Sequence, residues 1–223
     1  MIGIKINTDN NYAYITLNYR HLVENDWVDD LKYLCKPTEH HEKRISVRLY
    51  TDIGITRELN RHRVNSVAEQ STRYCNYSKN KYDNQLTVCT NVDISEELAY
   101  NKLKKWDHSP KDKDNHCLLN MCQALSNGEF NLFGVVDTWL FANLASEWSY
   151  LHLLELGWIP QQARRVLPLD LHSEIVHTAF VSDWQHFFDL RALDKTGPAH
   201  PDMKALALPL YEEFKSRGFI PNN

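Results

Sequence analysis

The sequence predicts an α+β domain in which helices cover an antiparallel or mixed sheet. Three observations lead to this class. Residues 12–19 and 43–50 alternate polar and apolar side chains with the period of a strand. Residues 135–156 carry an apolar stripe with the spacing of one long helix. Helical segments outnumber strands along the chain, and their order is mixed.

The first half of the chain divides into five predicted elements. They are a strand over 12–19, a strand over 43–50, a helix from 53 to about 61, a short strand over 85–90 and a helix over 95–103. Thr51 and Asp52 are suitable caps for the first helix. In the second helix we expect Leu98 and Leu103 to point inward.

The second half begins with a charged stretch, residues 104–115, which predicts an exposed loop between helices.

The elements after this loop are a helix over 135–156, a short helix over 160–165, a strand over 174–181, a helix over 184–191 and a helix over 201–217. Gly157 and Gly218 follow two of these helices, where a left-handed residue is common. Ser182 or Asp183 is expected to cap the helix over 184–191.

Composition and charge narrow the class of protein. The 223 residues contain 43% hydrophobic and 24% charged residues, which is typical of one globular domain spanning residues 1–223. The net charge of −4 argues against a dedicated nucleic-acid binder. Membrane-spanning apolar runs and a signal sequence are not predicted, and five scattered cysteines without a Cys-x-x-Cys pair favour a reducing cytoplasm.

The densest polar cluster covers residues 61–74 and contains three arginines, a histidine and a carboxylate. If it were helical, His62, Ser66, Glu69 and Arg73 would share one narrow stripe; if it were a loop, its amides and side chains would converge. Either arrangement brings guanidinium groups together, which suits bidentate binding of phosphate. The alternative is a solvated surface with internal Arg–Glu pairing.

A second cluster near the end of the chain contains Arg164 and Arg191, each beside apolar residues. Packed arginine stems hold their charged heads in place, and such heads require an anion. A salt bridge to an acidic residue is the structural alternative for each of them.

Other residue types carry weaker signals. The His40-His41-Glu42 run has metal-ligand types but no companion at metal-binding spacing, so we expect no metal site. His172 and His177 lie in or next to a predicted strand and are interpreted as satisfied structural histidines. The dispersed glycines form no phosphate-binding loop, and no cysteine has the setting of a nucleophile.

Four ordered blocks of the sequence resemble the flavin-dependent thymidylate synthases (ThyX), over about residues 38–205. The central block is Arg61-His62-Arg63-x-x-Ser66 continued through Glu69-x-Ser71-x-Arg73-Tyr74. The other matching residues are Thr38-Glu39-His40-His41 and Glu58-Leu59 upstream, then Glu147 with Tyr150, Gly157-x-x-Pro160, Ala163-Arg164-x-Val166-Leu167-Pro168, Trp184-x-His186-Phe187-x-x-Leu190-Arg191 and Ala199-His200-Pro201.

The resemblance implies an enzyme that converts dUMP to dTMP. It implies methylenetetrahydrofolate as one-carbon donor, FAD as redox cofactor and NADPH as reductant. It also implies a homotetramer whose active sites are shared between subunits, with the α+β fold of that family. Because reduced flavin supplies the hydride in this family, no protein cysteine is expected to attack the uracil.

The resemblance also implies roles for individual residues. The set expected to bind dUMP is Glu58, Glu69, Gln70, Ser71, Arg73, Arg164 and Arg191. Ser71, Arg73 and Arg164 would hold the phosphate, and Arg191 would approach the pyrimidine carbonyl, which makes Arg191 and Ser71 the expected catalytic residues. The set expected to bind FAD is His41, Arg61, His62, Arg63, Glu69 and His186.

Three positions depart from the family pattern: Ala68 and Phe180 replace asparagines found in some relatives, and His200 replaces a glutamine. They bear on the flavin and folate contacts more than on dUMP. The alternative function is a non-catalytic nucleotide- or RNA-binding module that uses the same arginine clusters. A relative without activity is a third reading, and the retention of Ser71 with Arg73, Arg164 and Arg191 argues against it.

Overall fold

The computed structural model describes residues 2–8, 11–17, 23–26, 28–36, 38–91, 93–106, 117–128 and 134–221. Within these residues helices and two small antiparallel sheets are combined, which confirms the predicted α+β class. None of the helices in this part of the chain has the apolar length needed to cross a membrane.

The first sheet contains three strands near the amino terminus: β1 (Ile2–Thr8), β2 (Asn11–Leu17) and β3 (Leu34–Cys35). Their order is β2-β1-β3, and both pairings are antiparallel. β2 confirms the strand predicted over 12–19, whose last two residues lie outside the described part of the chain.

The second sheet has the order β4-β6-β5 and is also antiparallel. Its strands are β4 (Arg44–Asp52), β5 (Ser66–Glu69) and the central β6 (His172–Phe180). Every second side chain of β6 is buried, so this sheet presents one face to the core. Two of these strands were predicted, over 43–50 and 174–181, and their observed ends differ by one or two residues.

Two helices, α1 (Ile53–Leu59) and α6 (Val181–Arg191), pack on the buried face of this second sheet, and α7 (Pro201–Ser216) packs against both of them. The largest buried residues of this core are Leu59, Ile175, Trp184, Phe187, Phe188, Met203 and Phe214. Asp52 caps α1 as predicted, because its Oδ1 accepts the Ile55 N–H at 2.8 Å.

The remaining α-helices are α2 (Glu96–Trp106), α3 (Cys117–Ser126), α4 (Val135–Glu155) and the short α5 (Pro160–Ala163). The first three pack against one another, and α3 was not predicted. Gly157 has a φ of +92° after α4, and Gly218 has a φ of +67° after α7, as their positions predicted.

Three sequence predictions differ from the structure. Residues 85–90 form no strand: a single bridge pairs Val88 with Leu171, because the chain turns at Asn91. In α2, Ala99 is buried while Leu98 is 45% exposed. α6 begins at Val181 and neither predicted residue caps it; instead the Glu42 carboxylate accepts the Ser182 N–H at 3.0 Å.

The charged loop predicted over 104–115 is only partly testable. Residues 104–106 belong to the last turn of α2, because the helical hydrogen-bonding pattern continues past the predicted end at Leu103. The rest of the predicted loop lies outside the described residues.

Candidate active site

The segment 61–74 is a turn, a short strand and a second turn. His62 N–H donates to the Leu59 carbonyl at 3.1 Å, which closes α1, and β5 follows at Ser66. The helical alternative is therefore wrong, and its stripe does not form, because side chains of β5 alternate between the two faces of the sheet. The turns place Arg61 and His62 at one end of the segment and Arg73 at the other.

A cavity of about 420 Å³ opens beside the carboxyl ends of α1 and α6. This volume lies within the range of small-molecule sites. The residues that line it are Arg61, His62, His186, Leu190, Arg191, Thr196, Gly197, Pro198 and Ala199. Four of these residues were expected to bind dUMP or FAD, and the structure brings them into one cavity.

The Arg191 side chain is 17% exposed and is held by two groups. Its Nη1 lies 2.8 Å from Glu58 Oε2, and its Nε–H donates to His62 Nε2 at 3.2 Å. Glu58 Oε1 also lies 3.9 Å from Nη1 of Arg61. The ion pair considered for Arg191 is thus present, and it fixes the guanidinium at the cavity wall.

His62 is held neutral by its surroundings. Burial, followed by the charge of Arg191 and then the imidazoles of His177 and His186, lowers the pKa of His62 to about 4. A neutral ring is also what the Arg191 hydrogen bond requires, because the accepting Nε2 must carry a lone pair. The His62 proton is accordingly assigned to Nδ1.

The loop after α6 forms the far wall of the cavity. Asp194, at a φ of +54°, accepts the Ala199 N–H at 3.0 Å and pairs with Lys204 of α7. Gly197 has a φ of +135°, which a residue with a Cβ rarely adopts. Asp194 therefore holds this wall against α7.

A second polar group lies where the turn at 71–74 meets α5. Arg73 Nε–H donates to Gln161 Oε1 at 2.9 Å, and Arg164 Nη1 contacts Thr72 Oγ1 at 3.5 Å. The Arg73 N–H also donates to Ser71 Oγ at 3.3 Å. The three residues expected to hold the phosphate are thus linked through this turn, and we call Ser71, Thr72, Arg73 and Arg164 the anion group.

Glu69 and Gln70 connect β5 to its surroundings. The Glu69 carboxylate accepts hydrogen bonds from Asn60 Nδ2 at 3.1 Å and from Ser173 Oγ at 3.4 Å. The Gln70 N–H donates to the Glu174 carbonyl at 2.8 Å. The Glu69 side chain is therefore oriented by Asn60 and Ser173, whereas the Gln70 side chain donates to Cys75 Sγ and to the Tyr82 hydroxyl, each at 3.4 Å.

Three residues of the expected FAD set lie apart from the cavity lining: Glu69, described above, His41 and Arg63. His41 is 4% exposed and accepts the Thr38 N–H at its Nδ1, 2.9 Å away, in the loop before β4. Arg63 is exposed on the turn after His62. Of the three departures from the family pattern, Ala68 is exposed on β5, Phe180 packs under the Arg44 guanidinium at 5.4 Å, and His200 precedes α7 with its Nδ1 3.6 Å from Asp202 Oδ2.

Sequence reasoning missed two residues of this region. Asn60 and Ser173 orient the Glu69 carboxylate; Asn60 directly precedes the arginine motif, whereas nothing in the sequence singles out Ser173. The interpretation of His177 as a satisfied histidine is wrong: the ring is fully buried, and neither nitrogen has a hydrogen-bond partner within the described residues. In the same part of the chain, no three metal-ligating side chains cluster.

The chain resembles known proteins in both sequence and fold. Residues 11–218 match the family model described as thymidylate synthase complementing protein, Thy1. No curated protein gives a significant match to the chain. Among solved structures, a UMP/dUMP methylase, PolB, from Streptomyces cacaoi bound with 5-Br dUMP is similar at a TM-score of 0.51 and 18% identity, over 88% of this chain and 73% of that one.

A flavin-dependent thymidylate synthase, ThyX, from Helicobacter pylori, complexed with FAD and dUMP, is similar at a TM-score of 0.48 and 18% identity. That similarity covers 79% of this chain and 70% of the Helicobacter chain. At 18% identity the similarity to PolB shows the fold alone, whereas the family match covers nearly the whole sequence.

Proposed function

The chain belongs to the thymidylate synthase complementing protein family, and from this premise we propose that it is a flavin-dependent thymidylate synthase. It converts dUMP to dTMP with methylenetetrahydrofolate as one-carbon donor, FAD as redox cofactor and NADPH as reductant. The observation that carries the proposal is Arg191, which Glu58 and His62 hold at the wall of a ligand-sized cavity.

In the proposal the anion group binds the dUMP phosphate. Two guanidinium groups and the hydroxyls of Ser71 and Thr72 supply charge-assisted donors of the kind that bind phosphate. Arg73 and Arg164 face no carboxylate at ion-pair distance within the described residues, so their charges remain free for a ligand. Glu69 and Gln70 would border the nucleotide between this group and the cavity.

Arg191 acts on the pyrimidine. Negative charge builds on a ring carbonyl when the ring is attacked, and a fixed guanidinium donor stabilises that charge without reorganisation. Nη1 and Nε are engaged by Glu58 and His62, so the remaining donors of the fork are those left for the substrate. Arg191 thus serves as the catalytic residue, and Ser71 supports catalysis by fixing the phosphate.

The cavity residues also fit FAD, which in its reduced form supplies the hydride that completes the methyl group. Arg61 is 74% exposed and makes one long ionic contact, so its guanidinium can pair with a pyrophosphate. Arg63 is exposed on the same turn. His62 and His186 line the cavity where a flavin ring would lie. None of the cysteines that the structure describes lines it.

Assembly and location complete the proposal. Family membership supports a homotetramer with active sites shared between subunits, in which the exposed Arg63 would face a partner's cofactor. A cytoplasmic location agrees with the scattered cysteines. Light scattering on the purified protein would give the assembly directly.

An absorption experiment tests the activity. The protein is loaded with FAD, desalted and titrated anaerobically with NADPH, with and without dUMP, and dTMP is then measured after addition of methylenetetrahydrofolate. Retained flavin bands that bleach with NADPH, followed by dTMP, are the expected result. A protein that binds dUMP and never retains FAD would instead be the non-catalytic nucleotide-binding module.

A further inference from the structure

We propose that Tyr82 is a positioning residue of the anion group: its hydroxyl holds the Gln70 side chain, which closes the turn that carries Ser71 and Arg73. The inference deepens the proposed function, on which it rests for phosphate as the ligand of that group. Tyr82 itself lies outside the sequence blocks that resemble the flavin-dependent thymidylate synthases.

The turn between Gln70 and Cys75 is small and open to solvent. It follows β5, and Ser71, Arg73 and Tyr74 are exposed on it. Two backbone hydrogen bonds form it, from the Tyr74 N–H and the Cys75 N–H to the Ser71 carbonyl, at 3.2 and 3.1 Å. The position of this turn relative to the rest of the fold therefore depends on the residues at its two ends.

Gln70 anchors the first end of the turn through both its backbone and its side chain. Its N–H donates to the Glu174 carbonyl of β6 at 2.8 Å. Its side-chain Nε2 donates to Cys75 Sγ and to the Tyr82 hydroxyl, each at 3.4 Å. The Gln70 side chain thus spans the turn from its start to its end, and both hydrogens of its amide group are bound within the protein.

The other end of the turn is anchored by helix α4. The hydroxyl of Tyr150, which is fully buried in this helix, donates to the Cys75 carbonyl at 3.4 Å. Because α5 and Arg164 follow α4 along the chain, this contact ties the turn to the segment that supplies the second guanidinium. The anion group draws its residues from both places, so fixing both ends of the turn preorganises it for a ligand.

The Tyr82 hydroxyl is explained by the contact with Gln70 and not by packing. The Tyr82 ring packs on Tyr77 at 4.9 Å between centroids, and Tyr77 packs on Tyr150 at 5.6 Å. A phenylalanine ring would make the same ring contacts, whereas only a hydroxyl can accept the hydrogen bond from Gln70. Without that acceptor the half-buried amide of Gln70 loses a partner, and its hold on Cys75 is weakened.

Isothermal titration calorimetry on the full chain, with and without added FAD, tests the proposal with dUMP and deoxyuridine as ligands. Tyr82→Phe keeps the ring and removes the hydroxyl. We expect the dissociation constant for dUMP to rise about threefold to tenfold, the effect of one neutral hydrogen bond, and that for deoxyuridine to stay unchanged, because only dUMP carries the phosphate. In turnover, the KM for dUMP should rise by the same factor while kcat stays near that of the wild type.

Gln70→Leu provides a second route to the same result. It should weaken dUMP binding and leave deoxyuridine binding unchanged. Adding Tyr82→Phe to this variant should have no further effect, because the hydrogen bond between the two residues is already absent. Independent, additive losses from the two changes would contradict a role of Tyr82 through Gln70.

Tyr77→Phe is the matched control, because it removes a buried hydroxyl from the neighbouring ring and leaves the contact between Tyr82 and Gln70 in place. It should not change the affinity for dUMP. Equal losses for dUMP and deoxyuridine in Tyr82→Phe, or no loss for either, would overturn the positioning role, as would a wild type that binds both ligands equally. If the wild type forms no dTMP and Tyr82→Phe still weakens only dUMP binding, the proposed function fails and the positioning role stands.

Discussion

Glu58 and Arg191 form a partly buried ion pair, with 2.8 Å between Oε2 and Nη1, at the wall of the cavity. The other oxygen of the same carboxylate lies 3.9 Å from Arg61. The two arginines were assigned to different ligands, dUMP and FAD, yet they share one acid. The two ligand sets are therefore contiguous at Glu58, and changes at this residue should affect both.

Replacing Glu58 by Gln should lower dTMP formation at least tenfold, because the Arg191 guanidinium loses the charge that fixes its orientation. The neutral amide leaves a partly buried cation unpaired, so we also expect a loss of about 1 kcal/mol in the free energy of unfolding, reduced by the partial exposure of the pair. Steady-state kinetics and urea unfolding measure the two effects. Glu213→Gln, at an exposed ion pair with Arg217, is the control and should change neither.

Arg191→Ala and Arg61→Ala should separate the two ligands despite their common partner. Arg191→Ala should depress turnover more than it releases FAD, because its donors face the pyrimidine. Arg61→Ala should mainly weaken FAD retention, measured as flavin absorbance after desalting. If Arg61→Ala kept its flavin and lost only dUMP binding, the two assignments would have to be exchanged.

The sequence predicted the elements whose pattern is local. β4 and α4 are long, with unbroken periodicity, and Asp52 and Gly157 mark boundaries through their own backbone chemistry. Residues 85–90 carry a strand-like pattern, but strand formation depends on a partner, and only Val88 reaches one. Whether this segment forms a strand depends on tertiary pairing, which a single sequence does not show.

The site was predictable to the extent that its residues form motifs. The segment 61–74 and Arg191 were identified from their polar character and resemblance to a family. Their arrangement was not predictable: the contact between Arg191 and His62 spans 129 positions, and it depends on how α6 lies against the turn that follows α1. The missing partner of His177 is likewise a property of the packed core, because the sequence shows only a histidine in a strand.

Replacing Arg164 by Ala should raise the KM for dUMP by about 10-fold to 100-fold, the effect of one charge-assisted contact to phosphate. Flavin retention should stay near that of the wild type, because Arg164 contacts Thr72 and does not line the cavity. Arg165→Ala tests the adjacent exposed arginine and should change the KM little. Deoxyuridine, which lacks the phosphate, should bind to both variants and to the wild type with the same affinity. Weaker binding of deoxyuridine to Arg164→Ala alone would contradict the phosphate assignment.

Stability should fall as the pH falls from about 6.5 to about 4, because burial lowers the pKa of both His62 and His177 to about 4. In this pH window the two histidines of the unfolded chain, with an ordinary pKa near 6.5, bind protons, whereas the same histidines in the folded chain remain neutral. Above pH 6.5 the two rings contribute no slope. Urea unfolding at pH 7, 6, 5 and 4 measures the effect, in which His177 accounts for about 3 kcal/mol at the acid end. His177→Phe should flatten this part of the curve, whereas His172→Phe should retain it; equal slopes in the two variants would show that His177 is protonated in the fold.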